Sequence, residues 1–530
     1  MKSITALFAL AAALAFAPAA SAHNHRRRPS GRAPQNASRA ESTPALSFLH
    51  VGAVGGAANI PQIVDAAGRQ VLLRGVNANG LVDYYRPDLR APYPIDQASY
   101  RHGACPADDP TVENVVLCER DFAQMRRLGY DAVRLNLSWS LLEPSPGRID
   151  RLYLDRIAQV VGWARRAGIY VILDMHQDAW SKYLYSTSTD NCTAPYKRIA
   201  GFDGAPQWAS IHTQPVCALN GTRELDPAVE EDFAKLFNNA PAPDGVGLRD
   251  HFASALAALG ARFRNDPTVA GYDILNEPSI IGISGTDESV LLPFYAKVID
   301  KVVHQVRGFR QLFFIEPDVT RDLTDFSGIT AVWSQYSRYR NVVYEPHVYT
   351  RTFTPSTFPM DGGYLSAIAD AQHLGLPLWV GEFGSSPSDD QNVLTVHYQE
   401  QDGFGLGGAL WVWKENGPNP SATWGVYDPP FGAGVPQSDR ILLTSRAYPL
   451  YTAGNLRSLS YEPSTGQFYM KATSRHVRFG DDARATVIYI PRTVRGPVHA
   501  SRARLLIARR PDGRIVYAFP TGRVYTVSAR

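Results

Sequence analysis

Ala270-Gly-Tyr-Asp-Ile-Leu-Asn276-Glu277-Pro278 decides the reading of this chain. It is a short apolar run that closes on an acid and a proline, and a loop containing Ser and Gly follows. Such a run, bounded by a turn signal, predicts a buried strand with a carboxylate at its C-terminal end. Leu376-Pro-Leu-Trp-Val-Gly-Glu382-Phe-Gly384 repeats the pattern, with a second glutamate where the apolar run stops. Working outward, eight β-like runs recur: Val71–Val76, Ala132–Leu137, Tyr170–Met175, Gly271–Asn276, Leu312–Glu316, Val342–His347, Leu378–Glu382 and Ala409–Trp413. They show little alternation, as strands covered on both faces should. Helical stretches lie between them: Leu248, Phe252, Leu256, Leu259 and Phe263 step by three and four, and Phe122 and Met125 precede a Leu128-Gly129 stop. Strands alternating with helices over this length predict an α/β fold, a closed (β/α)8 barrel over residues 47–445. Ile63 to Arg69 reads as a small hairpin covering the barrel floor.

After Arg446-Ala-Tyr-Pro449 the helical periodicity stops. Short strand-like runs such as Gln467-Phe-Tyr-Met-Lys471 and Ala485-Thr-Val-Ile-Tyr-Ile490 alternate with turns such as Pro511-Asp-Gly513. A smaller antiparallel β-sandwich is expected over 446–530. Its many Arg residues read as a solvated charged face, the alternative being contact with an anionic membrane or micelle surface.

With 530 residues, 45% hydrophobic and 19% charged, the chain can build a large core, and its formal charge of +3 is too small to point to nucleic acid. Lys2, the apolar run from Ile4 to Phe16 and the small residues Ala20-Ser-Ala22 fit a signal peptide over 1–22, cleaved before His23; an uncleaved anchor is the alternative. Residues 23–46, rich in Arg, Ser, Pro and Asn, read as a flexible leader. A secreted or periplasmic location follows. It agrees with four cysteines economically paired as Cys105–Cys118 and Cys192–Cys217; free thiols, or a zinc site with unsuitable spacing, are the alternatives.

Two carboxyls at strand ends suit glycosidic bond hydrolysis: one protonates the leaving oxygen, the other attacks the sugar carbon or activates water. Either glutamate alone is most simply a loop cap. Polar residues at so many strand ends are harder to explain that way, because in a barrel those ends form the active site. Asn276 can hold a sugar 2-hydroxyl. Arg134, inside the second strand, is counted with the substrate-binding residues; buried there it needs a carboxylate partner, and Glu382 suits it. His347 and Tyr349 can orient either acid, His176 and Asp178 can bind sugar hydroxyls, and Trp413 can floor the sugar site by stacking.

Arg134, Asn276-Glu277-Pro278, His347-x-Tyr349, Glu382 and Trp413, in this order, resemble the retaining glycoside hydrolases of family 5 from about Ile63 to Arg446. The resemblance implies Glu277 as acid/base, Glu382 as nucleophile, net retention, and neither metal nor other cofactor. Leu173-Asp-Met-His-Gln-Asp178, Gly245-Val-Gly-Leu-Arg-Asp-His-Phe252 and Arg446-Ala-Tyr-Pro449 look like its endoglycoceramidase branch, which implies cleavage between oligosaccharide and ceramide of a glycosphingolipid. Members of that branch often carry a lysine in the loop after the first strand. Val76 to Tyr85 has none, which points to a galactose-linked or otherwise unusual glycolipid. For an apolar aglycone the sequence offers Ile280, Ile281 and Ile283 after the acid, and Trp180, Tyr183, Tyr185, Trp208, Phe233 and Phe237 in the long loop after the third strand. The rival readings are a polysaccharide hydrolase such as an endo-β-glucanase, and a non-catalytic carbohydrate- or membrane-binding barrel. Edman sequencing of the exported chain should begin at His23; a chain beginning at Met1 would show the anchor instead.

Overall fold

The structure is a computed structural model and describes residues 45–82, 84–86, 91–93, 117–415, 424–428, 435–436 and 438–530. Cys105, and with it the expected Cys105–Cys118 bridge, lies outside the described residues. Cys192 and Cys217 are bonded, with Cα atoms 5.5 Å apart.

Eight parallel strands carry the barrel: β1 (Arg74–Leu81), β2 (Ala132–Ser138), β3 (Tyr170–His176), β4 (Val269–Asp273), β5 (Leu312–Ile315), β6 (Val342–Tyr344), β7 (Val380–Phe383) and β8 (Gly408–Leu410). Their order around the sheet is β6-β5-β4-β3-β2-β1-β8-β7. A parallel bridge from Tyr344 to Leu378 joins its two edges and closes the barrel. Among the described residues, the helices that wrap it include α1 (Glu119–Arg127), α2 (Arg151–Ala167), α3 (Leu248–Phe263), α4 (Leu292–Gln305), α5 (Gly362–Leu374) and α6 (Leu394–Phe404). The periodic face of α3 is buried at Leu248, Phe252, Leu256, Leu259 and Phe263, as the three- and four-residue spacing requires. Between β5 and β6 there is no long helix among the described residues, only the turns Arg321–Thr324 and Trp333–Gln335. That segment is rich in Asp and Thr, which bond to nearby backbone instead of extending a helix. Asp318 Oδ1, for example, accepts from the Thr320 amide at 3.0 Å.

Several strands differ from their sequence limits. The expected run Val71–Val76 is split at Leu73, whose φ is +56°. Gln70 and Val71 pair with Tyr451 and Thr452 outside the barrel, and only Arg74 onward enters it. β4, β6 and β8 stop three residues early, so Asn276, His347 and Trp413 sit beyond strand ends. Strands His50–Gly55, Ile60–Val64 and Gln70–Val71 form the expected N-terminal hairpin region but belong to a seven-stranded antiparallel sheet with strands of the C-terminal region. The sandwich expected over 446–530 therefore incorporates chain from the N-terminal side of the barrel. Its second, four-stranded sheet shows the period-two burial of a strand covered on one face: Phe468, Met470 and Ala472 are buried and Gln467, Tyr469 and Lys471 exposed. Asp402 ties the two parts together, bonding Arg74 at 2.7 Å and Arg446 at 2.7 Å.

His397 on α6 is fully buried against Tyr364, whose hydroxyl lies 2.9 Å from Nδ1. Burial holds its imidazole down to about 4, against the opposing pull of a backbone bond at Thr350. The unfolded chain then binds a proton here that the folded chain refuses. The neutral-His stability is complete above pH ~6.5 and is lost as pH falls towards 4, by up to about 3 kcal/mol. Urea unfolding at pH 7 and pH 4.5 should show that fall, and His397→Gln should flatten it by about one proton's worth of slope.

Candidate active site

Arg134 stands in the middle of β2 with its side chain wholly inside the barrel. Five carboxylates from five other strands or strand ends surround its guanidinium: Asp174 at 3.1 Å, Asp273 in a very short contact, Glu316 at 2.9 Å, Glu345 at 3.0 Å and Glu382 at 2.7 Å. It also donates to Asn276 Oδ1 at 2.8 Å and Asn77 Oδ1 at 3.1 Å. Burial opposes its charge, but the ring of acids raises its pKa still further above the ordinary arginine value. Arg134 was expected to contact substrate. It cannot, because nothing of it is exposed; it is the cation under the site, and Glu382 is one of its partners.

Glu382 lies in β7, and its two oxygens are bonded to different donors, Arg134 Nη1 at 2.7 Å and the Tyr349 hydroxyl at 2.8 Å. Glu277 lies four residues past β4, with backbone φ of +40°, a left-handed conformation that costs a non-glycine residue about 1–3 kcal/mol. Its backbone is clamped on both sides. Its amide donates to Glu316 Oε2 at 2.9 Å, and its carbonyl accepts from Gln177 Nε2 at 3.0 Å. That geometry turns the Glu277 side chain, 23% exposed, toward Glu382. Carboxyl oxygens of the two glutamates and His347 Nδ1 all lie within 4.8 Å of one another. One oxygen from each carboxyl within that span suits the ~5–5.5 Å separation of a retaining pair better than the about 6.5–9.5 Å of an inverting one.

His347 Nδ1 sits 2.9 Å from Glu277 Oε1, and Nε2 lies 3.4 Å from Glu316 Oε1. Burial works against the imidazolium, but Glu316 and Glu382 raise its pKa well above the usual histidine range. Burial would lift the Glu277 carboxyl, yet the hydrogen bond and charge of His347 outweigh it and bring it down to about 2. For Glu382, burial exceeds the pull of His347 and Arg134 and raises the carboxyl. These groups are near enough that protons belong to the cluster, not to single residues. A second tight acid cluster, Asp273, Glu316 and Glu345, could hold a cation by spacing, but Arg134 already supplies the positive charge there.

The remaining expected residues separate into two groups. Asn276 is placed by Arg134 and by its own donation to the Gln177 carbonyl at 2.9 Å. His176 is near enough to both glutamates to act on their charge and is bonded to Asp174 at 2.8 Å; burial disfavours its own charge, but Asp174 and Asp203 push it up to about 9. Asp178, half-buried, pairs with Arg223 at 2.9 Å. Trp413 does not floor the site. It is fully buried, donates from Nε1 to Asp121 on α1 at 3.1 Å and packs on Tyr427 at 4.7 Å. β8 ends at Leu410, so beyond it strand alternation no longer orients side chains. Trp411, partly exposed, instead stacks on His176 at 5.7 Å and 16°. Trp424 joins Tyr349 and Phe353 in an aromatic group 5.9–6.2 Å apart. Glu316, Glu345 and Asp322 also belong to the site and were not singled out by sequence. Glu316-Pro and Glu345-Pro carry the same strand-end signal as Glu277-Pro, but three identical signals do not say which glutamate reacts.

A (β/α)8 barrel with two carboxyls facing each other at strand ends, one anchored on arginine and tyrosine, defines a glycoside hydrolase. The model of the cellulase family, glycosyl hydrolase family 5, matches residues 118–417, and that of the glycoside hydrolase family 5 C-terminal domain matches 446–507. The chain belongs to glycosyl hydrolase family 5. It is 31% identical over 227 residues to endoglycoceramidase I of Rhodococcus hoagii, a match covering 41% of this chain and 35% of that protein, so it spans about a third of that relative. It is 23% identical to the endoglycoceramidase of Cyanea nozakii over 437 residues, 77% of this chain and 78% of that one. Its fold is similar to the crystal structure of an endogalactoceramidase, with a TM-score of 0.74 and 29% identity over 92% of this chain and all of that one. It also matches a Rhodococcus endo-glycoceramidase II structure, with a TM-score of 0.66 and 24% identity over 88% of this chain and 98% of that one.

Replacing Arg134 by Lys keeps the charge but puts one ammonium among acceptors that the planar guanidinium spans. Chemical denaturation of Arg134→Lys should show a loss of about 3–5 kcal/mol, the scale for breaking a buried ion cluster. Activity should fall further than stability explains, because Glu382 loses a fixed donor.

Proposed function

We propose that this hydrolase cleaves the bond between the sugar and the lipid of a glycosphingolipid, with retention, using Glu382 as nucleophile and Glu277 as acid/base. Glu382 suits the nucleophile because both of its oxygens are oriented by donors that stabilise the anion. Glu277, the more exposed of the two, suits the acid/base, which must meet the leaving group and then water. Attack by Glu382 on the anomeric carbon would form a glycosyl ester while Glu277 protonates the departing oxygen. Water activated by Glu277 would then release the sugar. Asn276 and His176 are the proposed partners of the sugar hydroxyls, and the Trp411 ring stacked on His176 supports that reading.

The observation that carries the lipid reading is an apolar cleft of about 570 Å3 that begins four residues after Glu277. Ile281, 40% exposed, Leu219, Leu225 and Tyr196 line its apolar part, and Gln214, Glu230 and Glu231 add a polar edge, with Glu230 held by Ser279 and Gly282. A lipid aglycone needs such a trough beside a polar sugar pocket. Five of the other apolar residues named for this role serve packing instead. Ile280 is buried, Ile283 packs against the core, Trp180 and Phe233 pack edge to face at 5.0 Å, and Phe237 stacks on Phe233. The named relatives support the same substrate class, and the endogalactoceramidase neighbour supports testing galactose-linked lipids first. The Cys192–Cys217 bridge and the segment over 1–22 support an exported enzyme. Among the described residues no helix is long and apolar enough to cross a membrane. The proposed contact with a lipid surface is through the rim of the cleft.

Glu382→Gln should abolish turnover while leaving the fold intact, and Glu277→Ala should slow poor leaving groups far more than good ones. Proton NMR should show the first product with retained configuration. Incubation with a panel of glycosphingolipids should release intact oligosaccharide, or galactose, plus ceramide. Activity on soluble β-glucan with none on glycolipids would support the endoglucanase reading.

A further inference from the structure

One ring nitrogen faces three carboxyl groups. His347 Nδ1 lies 2.9 Å from Glu277 Oε1, 3.7 Å from Glu382 Oε2 and 3.8 Å from Asp322 Oδ2. Asp322 comes from the one-turn helix Arg321–Thr324 after β5 and is 7% exposed. Its carboxyl and that of Glu277 thus converge on the same ring nitrogen, close enough for each to act on the other's proton. The groups that face Asp322 are Glu277 after β4, Glu316 after β5, and His347 and Tyr349 after β6, with Glu382 of β7 reaching the same ring nitrogen. Its neighbour Arg321 turns away and donates to the Gly363 carbonyl at 2.6 Å.

An acid/base must carry a proton in the first step and accept one in the second. A lone carboxyl held against an imidazolium meets only the second demand, because the positive charge keeps it ionised. Two carboxyls in contact repel when both are ionised and so retain one proton between them. Burial and the Glu277 charge raise Asp322 well above the ordinary carboxylate range, in keeping with that sharing.

We propose that Asp322 is a positioning residue for the catalytic proton: it and Glu277 hold one proton in common, which makes Glu277 available as the acid. In the first step that proton passes from Glu277 to the glycosidic oxygen as the anomeric C–O bond breaks and the bond to Glu382 forms. Glu277 and Asp322 are then both ionised beside the His347 imidazolium. In the second step water adds to the anomeric carbon, the ester to Glu382 breaks, and the proton from water returns to Glu277 and is shared again. The pair gains and loses no proton over the cycle.

This rests on the reading of Glu277 as acid/base, and the test separates the two. kcat/KM is measured from pH 4 to 9 for Asp322→Asn, Asp322→Ser and Glu277→Ala. The substrates are the octyl and 2,4-dinitrophenyl β-glycosides of galactose, glucose and lactose, using the sugar that the unmodified enzyme turns over best. Without Asp322 the proton on Glu277 faces His347 alone and is lost at lower pH. The alkaline limb for the octyl glycoside should therefore move down by about one pH unit or more, with a loss of about 10- to 100-fold at pH 7, the scale of general acid catalysis. The dinitrophenyl glycoside, which needs no protonation, should change less than about threefold by the same logic. Two variants guard against one that folds poorly, and the unfolding midpoint of each identifies it. Equal losses on both substrates with an unmoved alkaline limb, or no loss at all, would overturn the role of Asp322 while Glu277→Ala still spares the dinitrophenyl substrate. Failure of Glu277→Ala to spare it would overturn the acid/base reading and this inference with it.

Discussion

The Arg134 guanidinium and the acids around it are what the rest of the site depends on. One cation in the barrel interior is bonded to carboxylates from β3, β4 and β7 and from the ends of β5 and β6. Burying so many acids is tolerable only around a cation that satisfies several at once, and arginine's planar, multiply donating head is the side chain that can. The same contacts fix where each strand end lies. Asn276 and Glu382 arrive already oriented because their inner oxygens are held from below.

The reactive geometry is built on that anchor. Glu316 bonds Arg134 with one oxygen and the Glu277 amide with the other. The buried network is thereby coupled to the left-handed backbone that aims Glu277. His347 bridges upward from Glu316 to Glu277, Glu382 and Asp322. Charge placed for structural reasons beneath the site thus sets the proton distribution above it, and the acid, the nucleophile and their neighbours act as one electrostatic unit.

Outside the site, the β region is more closely woven into the barrel than a sequential pair of domains would be. Strands from before β1 complete its larger sheet, and Asp402 on α6 joins Arg74 at the start of β1 to Arg446 at the start of the C-terminal strands. Tyr448 adds a hydroxyl bond to the Gly129 carbonyl at 2.7 Å. These contacts brace the floor of the barrel, opposite the reacting groups.

The sequence by itself determined the barrel, the antiparallel C-terminal region and the pair of glutamates, because strand-length apolar runs, helical periodicity and strand-end acids are local signals. It did not determine which of several similar residues does what. Glu277, Glu316 and Glu345 all precede proline at strand ends, and only the three-dimensional structure turns one to the mouth and two onto Arg134. Trp411 and Trp413 are equally plausible sugar platforms in sequence; where β8 stops sent one to His176 and the other to α1. Asp322 lies in a polar loop with no periodicity, so its approach to Glu277 could not be read from spacing. The cleft beside Ile281 was only partly legible, since exposure of Ile281 and burial of Ile280 depend on packing between elements distant in the chain. Local patterns record what each segment must bury. Which charges meet, and how their protons are shared, follows only from closing the barrel.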